Sequence, residues 1–211
     1  MKAAEPTQWE EIFRRDGHVF PEPRPQVMRF TELLLEHALE TVLDLGCGTG
    51  RHVVHMAEKG LRVSGLDNAP TALKLTKQWL VREGLTASLV LSDMRQPLPF
   101  EDDSFDAVLS TQVIHHALLA SVLGTAGEIG RIVRRDGLIM ISVPTQKAIS
   151  EDAPDHDEIE PNTFVPTSGT EKGLPHHLFT PGEFRDLFPC FRAMDLQVLD
   201  DRVMVFRGIR N

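Results

Sequence analysis

The sequence predicts an α/β protein built on a seven-stranded, mostly parallel sheet with helices on both faces and its last strand antiparallel. Three observations carry this. Strand-like apolar runs alternate with helical patterns through residues 41–143, the arrangement that buries a parallel sheet on both faces. A glycine-rich loop, Leu45-Gly46-Cys47-Gly48-Thr49-Gly50, leaves the first of those runs and enters a helix. The final two runs, 191–199 and 202–209, are joined only by Asp200-Asp201 and read as an antiparallel hairpin at the sheet edge.

The elements follow in order. Residues 25–39 set Val27, Phe30, Leu34 and Ala38 on one helical face, which predicts a helix packed on the core. The stretch 41–45 reads as a buried strand. Residues 51–59 read as a helix closed by Gly60, just past its C-terminus. A second strand, 61–66, ends on Asp67. Pro70 opens the next helix at the first-turn position proline prefers, and Gly84 closes it. A third strand, 88–92, ends on Asp93. The fourth covers 105–110 and the fifth 138–143, entered from an Asp136-Gly137 turn, with a crossover helix over 119–134. Between residues 145 and 180 the pattern dissolves into a proline-, glycine- and acid-rich segment. A structureless stretch of that length in a compact domain is expected to be a lid or a substrate-binding insertion.

Size and charge narrow the function. The 211 residues, 41% hydrophobic, suit one domain over 1–211, with residues 1–40 forming an N-terminal cap and helix. The formal charge of −9 argues against a nucleic-acid partner. Cys47 and Cys190 fit neither a disulfide framework nor a metal motif. No apolar stretch has signal-peptide or membrane-spanning character, so a cytoplasmic protein is expected, its oligomeric state open.

The loop is informative for what it is not. A dinucleotide fingerprint spaces its glycines Gly-x-Gly-x-x-Gly and presents a helix N-terminus to a pyrophosphate. Here the spacing is Gly-x-Gly-x-Gly, and Asp44 stands immediately before it. A carboxylate there repels a pyrophosphate and suits a nucleoside ligand carrying positive charge, such as S-adenosylmethionine. Polar residues recur at successive strand ends: Asp67, which suits ribose hydroxyls or the entry of the following helix; Asp93 with Met94; then Thr111 and Gln112.

The segment 42–52 resembles the first motif of the class I S-adenosylmethionine-dependent methyltransferases. Residues 98–106 resemble the approach to their fourth strand and 131–138 the approach to their fifth, although Arg134-Arg135-Asp136-Gly137 stands where relatives commonly carry a proline. Within that superfamily the chain is most similar to small-molecule type 11 and tellurite-resistance-like enzymes, which implies a Rossmann-like fold. The resemblance implies that Asp44 and Gly46 hold the methionine part of S-adenosylmethionine, with S-adenosylhomocysteine as product. It assigns Asp67 to the ribose, Asp93 with Met94 to the adenine and Gln112 to the sulfonium end, with Cys47, Gly48, Gly50, Asn68 and Thr111 as further cofactor-binding residues.

Methyl transfer is an in-line displacement, so the protein must align the acceptor, exclude water and, for some acceptors, take a proton. His115 and His116 are candidate proton acceptors or packing residues; His176 and His177 are candidates to bind substrate or to anchor the insertion. No metal site is expected, because no histidine pair has helical i, i+4 spacing and adjacent side chains rarely share an ion. The acidic run 151–158 reads as a solvated rim. Trp9, Phe13, His18 and Phe20 form a segment that either covers the cofactor or packs outside. The expected acceptor is a small molecule. The alternatives are a tRNA or protein methyltransferase, a nicotinamide dehydrogenase, and a non-catalytic cofactor-binding activator.

Overall fold

A computed structural model describes residues 7–19, 21–148 and 155–211. Phe20 and the acids Glu151 and Asp152 lie outside the described residues. The chain divides into two compact units, Met1–Met94 and Arg95–Asn211.

The first unit contains α1 (Gln8–Asp16), α2 (Pro25–Glu36), β1 (Thr41–Leu45), α3 (Arg51–Glu58), β2 (Arg62–Asp67), α4 (Pro70–Arg82) and β3 (Ser88–Leu91). Its three strands run parallel, with Asp44 opposite Gly65 and Asp67 opposite Leu91. Gly60 (φ 88°) and Gly84 (φ 68°) end α3 and α4 as expected, each in the left-handed conformation that lets the following residue bond back to the last turn. The helix expected over 25–39 stops at Glu36. Ala38 takes the left-handed turn (φ 53°) and Leu39 N–H reaches back to the Leu34 carbonyl, so Ala38 is exposed instead of continuing the buried face.

The second unit contains β4 (Phe105–Thr111), α5 (Leu119–Ile132), β5 (Val133–Pro144), β6 (His156–Glu160), β7 (Thr163–Pro166), β8 (His176–His177), α6 (Pro181–Asp186), β9 (Phe191–Leu199) and β10 (Val203–Arg210). The seven long strands form a sheet ordered β3-β2-β1-β4-β5-β10-β9, in which β10 is antiparallel to both β5 and β9. The terminal hairpin turns through left-handed Asp200 and Asp201, closed by Arg202 N–H on the Leu199 carbonyl. No helix among the described residues is long and apolar enough to cross a membrane.

Two expectations change here. The fifth strand begins at Val133, not at residue 138: Val133 pairs with Phe105, then pairing resumes at Ala107 and Leu138 across a bulge. The segment 145–180 is not structureless, since β6, β7 and β8 pair into a small antiparallel sheet. Glu160 secures it by accepting from Leu119 N–H at 2.6 Å, at the start of α5, and from the Thr163 hydroxyl at 2.9 Å. Arg131 of α5 grips the run before β4, donating to the Leu98 and Phe100 carbonyls and to Asp102 while pairing with Glu128.

The bulge accounts for the glycine in Arg134-Arg135-Asp136-Gly137. A Cβ on Gly137 would lie 2.8 Å from two backbone oxygens, those of Arg134 and Asp106, and 2.6 Å from Val133. Backbone atoms cannot step aside. Gly137→Ala is therefore expected to destabilise by about 1–3 kcal/mol, with no change in the dependence of unfolding free energy on denaturant, measured by urea titration.

Candidate functional site

In the first unit, Gly46 (φ 77°), Gly48 (φ 54°) and Gly50 (φ 88°) all occupy the left-handed region, which explains glycine at alternate positions. The turn they make spends four of its own donors. Gly46 and Cys47 N–H groups both reach the Leu66 carbonyl, Gly48 N–H donates to Asp67 Oδ2 at 2.8 Å, and Gly50 N–H reaches the Cys47 carbonyl. A loop with these four donors spent internally is poorly suited to cradle a phosphate, which needs them free.

Asp67 serves two purposes at once. Its Oδ2 ties the loop to the end of β2 while Oδ1 accepts from Ala69 N–H at 2.9 Å, at the entry of α4. Burial raises its pKa, and the backbone donors of Ala69, Gly48 and Asn68 oppose that rise. The helix-entry reading and the ligand reading are thus compatible, because three backbone donors leave one of the carboxylate's four acceptor sites. Asn68, Asp93 and Met94 are half-buried at the ends of β2 and β3.

Cys47 packs into the base of the loop. Its N–H is committed to Leu66, and its thiol packs where a Cβ on Gly65 would come within 2.9 Å. Burial pushes that thiol well above its ordinary pKa, so it is an inert packing group.

Asp44 is the exceptional residue. It is 1% exposed, and its Oδ2 has no hydrogen-bond partner among the described residues. His52 Nδ1 stands 3.9 Å away, beyond hydrogen-bond reach, and burial keeps that imidazole neutral. Desolvation raises Asp44 to about 7, with Arg51 opposing and Asp67 adding to the shift. Arg24 and Arg51 both have lowered pKa values, chiefly from burial; Arg51 falls to about 10, partly because Arg24 is close. Arg24 Nε is itself buried without a partner among the described residues.

Three positioning residues escaped the sequence reading. Glu10 is 2% exposed and crosses from α1 to accept Thr71 N–H at 2.9 Å and the Thr71 hydroxyl at 2.7 Å. The spacing Thr7-x-x-Glu10 signals a capping box, but only the Thr7 half forms, and the glutamate holds α4 instead. Thr76 donates to the Gly48 carbonyl at 3.0 Å and fills the space a Cβ on Gly50 would need. Arg24 sits between two prolines, with no pattern to mark it. Of the N-terminal aromatics, Phe13 lies against Gly48 and packs with Ala69, Ala72, Trp9 and Val19, whereas His18 is exposed and meets Trp79 edge-on.

In the second unit, Thr111 ends β4 buried. Gln112 follows in a left-handed conformation (φ 58°), with its N–H on the Ser142 carbonyl at 2.9 Å and its side chain 3.4 Å from the Ser142 hydroxyl. Next come His115 and His116, with ring centroids 3.9 Å apart, and His176 approaches both, at 5.6 and 4.7 Å. Burial and mutual proximity drive His115 well below its usual pKa and His116 to about 3; burial, with His156 nearby, takes His176 to about 4. A proton acceptor works best with a pKa near the operating pH, so these are weak bases. The structure thus disfavours the expected proton-accepting role of His115 and His116. His177 is fully buried, its Nδ1 2.7 Å from the Thr163 hydroxyl and its Nε2 3.2 Å from Glu183, so it anchors the insertion and has no nitrogen left for substrate.

The fold is Rossmann-like and similar to that of class I methyltransferases of known structure. Residues 43–141, just under half of the chain, match the family described as a methyltransferase domain. It is 29% identical over 107 residues to the 2-heptyl-1-hydroxyquinolin-4(1H)-one methyltransferase of Mycobacteroides abscessus, covering 50% of this chain and 46% of that one. The chain spans about half the length of the curated relatives it matches. The crystal structure of PH0226 from Pyrococcus horikoshii aligns with a TM-score of 0.72 at 18% identity, over 95% of this chain and 99% of that one. The Burkholderia thailandensis 1,6-didemethyltoxoflavin-N1-methyltransferase, solved with 1,6-didemethyltoxoflavin and S-adenosylhomocysteine bound, aligns with a TM-score of 0.67 at 19% identity, over all of this chain and 92% of that one.

The raised Asp44 pKa has a sign that can be measured. Between the unfolded value of 3.8 and about 7, the folded state binds a proton the unfolded state lacks, so this group's contribution to stability falls as pH rises through that window. Asp44→Asn removes the term. The variant is expected to be more stable relative to wild type at pH 8 than at pH 5, by on the order of 2 kcal/mol, in paired thermal melts.

Proposed function

We propose that the protein is an S-adenosylmethionine-dependent methyltransferase acting on a small-molecule acceptor. The observation that carries the reading is the buried Asp44 oxygen, without a partner among the described residues, beside a glycine loop that has already bonded the N–H groups of Gly46, Cys47, Gly48 and Gly50. Such a surface rejects phosphate and favours a cationic donor. The ammonium group of an amino-acid tail supplies that donor, and Arg24 Nε offers a buried partner for the carboxylate of the same tail. Residues Gly46, Gly48 and Gly50 let the backbone approach closely, Asp67 and Asn68 take the ribose, and Asp93 with Met94 takes the adenine. Thr111 and Gln112 border the reacting end. The cofactor supplies the methyl group together with its leaving group. The protein's share is to hold, orient and exclude water, so an acceptor acidic enough to lose its proton unaided needs no strong base.

The small-molecule acceptor is supported by the acidic charge balance and by two similar methyltransferases named for heterocyclic compounds. Titration calorimetry is expected to show S-adenosylhomocysteine binding and no binding of NAD; the opposite pattern would overturn the proposal. Asp67→Ala should weaken S-adenosylhomocysteine by about 1–3 kcal/mol, the cost of leaving buried hydroxyl donors unpaired. Unchanged affinity would move the ribose away from β2.

A further inference from the structure

We propose that His115, His116 and His176 form a binding site for a divalent transition-metal ion, with zinc the species their ligand chemistry suits best. Their candidate ligand atoms all lie within 4.8 Å of one another. His115 is 3% exposed, and its Nδ1 has no hydrogen-bond partner among the described residues; His176 Nε2 is likewise buried without one, its nearest carboxylate being Glu171 Oε2 at 3.5 Å. Leaving buried polar nitrogens unsatisfied costs stability, and two that converge on one region call for a common partner.

The obstacle was the adjacency of His115 and His116, because consecutive side chains usually diverge. The local backbone removes it. Gln112 is left-handed and His116 N–H bonds back to the Val113 carbonyl at 3.0 Å, a tight turn in which the two rings come to lie side by side. The third ligand arrives from 60 residues downstream through one main-chain bond, His177 N–H to the His115 carbonyl at 2.8 Å. His177, with both ring nitrogens committed, fastens that strand and leaves His176 facing the pair. His116 also bonds the Gln112 backbone, the kind of outer contact that orients a metal-binding imidazole.

Zinc fits for two reasons. Imidazole is among its preferred nitrogen ligands, and three histidines leave a fourth tetrahedral position open. Bonds of about 2.0–2.1 Å place tetrahedral nitrogens about 3.4 Å apart, so small side-chain rotations would draw the cluster together. Glu171 or a water can close the fourth position, as can an anionic oxygen or sulfur of a bound molecule. All the residues involved fall within 112–183, so the site stands whether or not the methyl-transfer assignment holds.

The full chain, stripped with a chelator and titrated with cobalt(II), is expected to bind one ion with visible absorption that zinc then abolishes. His115→Ala and His176→Ala should each weaken zinc binding by about 100-fold or more while far-UV circular dichroism stays native. His37→Ala, an exposed control, should bind as wild type does. If His115→Ala fails to fold, the less buried His176→Ala decides the matter. Absence of stoichiometric binding, or wild-type affinity in folded His176→Ala, would overturn the proposal.

Discussion

Three left-handed glycines within five residues are the constraint on which the first unit depends. With Gly46, Gly48 and Gly50 in that region, the chain reverses at the end of β1 tightly enough for two N–H groups to share the Leu66 carbonyl. The reversal brings Gly48 to Asp67, and Asp67 in turn holds the start of α4. Thr76 and Phe13 then pack against the loop from α4 and α1. A side chain at Gly50 would collide with Thr76, so loop and helix are matched to each other and not merely adjacent. The chemistry follows from the geometry. Because the turn bonds four of its own donors, the loop contributes mainly closeness of approach, and recognition falls largely to the side chains beside it.

Those side chains are arranged against stability. Asp44 is buried and Arg24 and Arg51 are half-buried, and each shows a pKa displaced toward its neutral form. A protein selected for stability alone would put an apolar residue at Asp44, since a buried carboxylate oxygen without a donor weakens the fold. Violations of this kind mark functional positions. A zwitterionic amino-acid tail answers a carboxylate oxygen and a guanidinium nitrogen that lack partners among the described residues, which a purely anionic ligand does not. The electrostatics and the loop's spent donors therefore point to the same class of ligand by independent routes.

Much of this was legible because it is local. The strand at 41–45, the glycine stops at 60 and 84 and the final hairpin rest on periodicity and turn chemistry contained in a few residues. The loop's spacing and Asp44 were readable for the same reason. What escaped depends on distant partners. Glu10 resembles half of a capping box and becomes the anchor of α4 only because Thr71 is near in space. The strands β6, β7 and β8 are too short and acidic to show period-two alternation, and they exist because Glu160, Asn162 and Thr163 find partners elsewhere in the unit. Gly137 reads as an ordinary turn residue, whereas the carbonyls of Arg134 and Asp106 are what exclude a side chain there.

The histidines carry the same lesson into chemistry. Residue type and position suggested general bases, since an isolated imidazole titrates near neutrality. Burying three of them together reverses the inference. Desolvation and mutual repulsion make protonation costly, so the rings become weak proton acceptors, and the case for a metal ion rests on how closely their candidate ligand atoms gather. Spacing in sequence was a poor guide because the element that completes the cluster, β8, is held by the carbonyl of His115 itself. The same residue thus supplies one imidazole through its side chain and positions another through its backbone. That coupling explains why the arrangement is compact even though its members come from the turn after β4 and from β8. It also separates the neighbours His176 and His177, the first facing the cluster and the second consumed in holding it there.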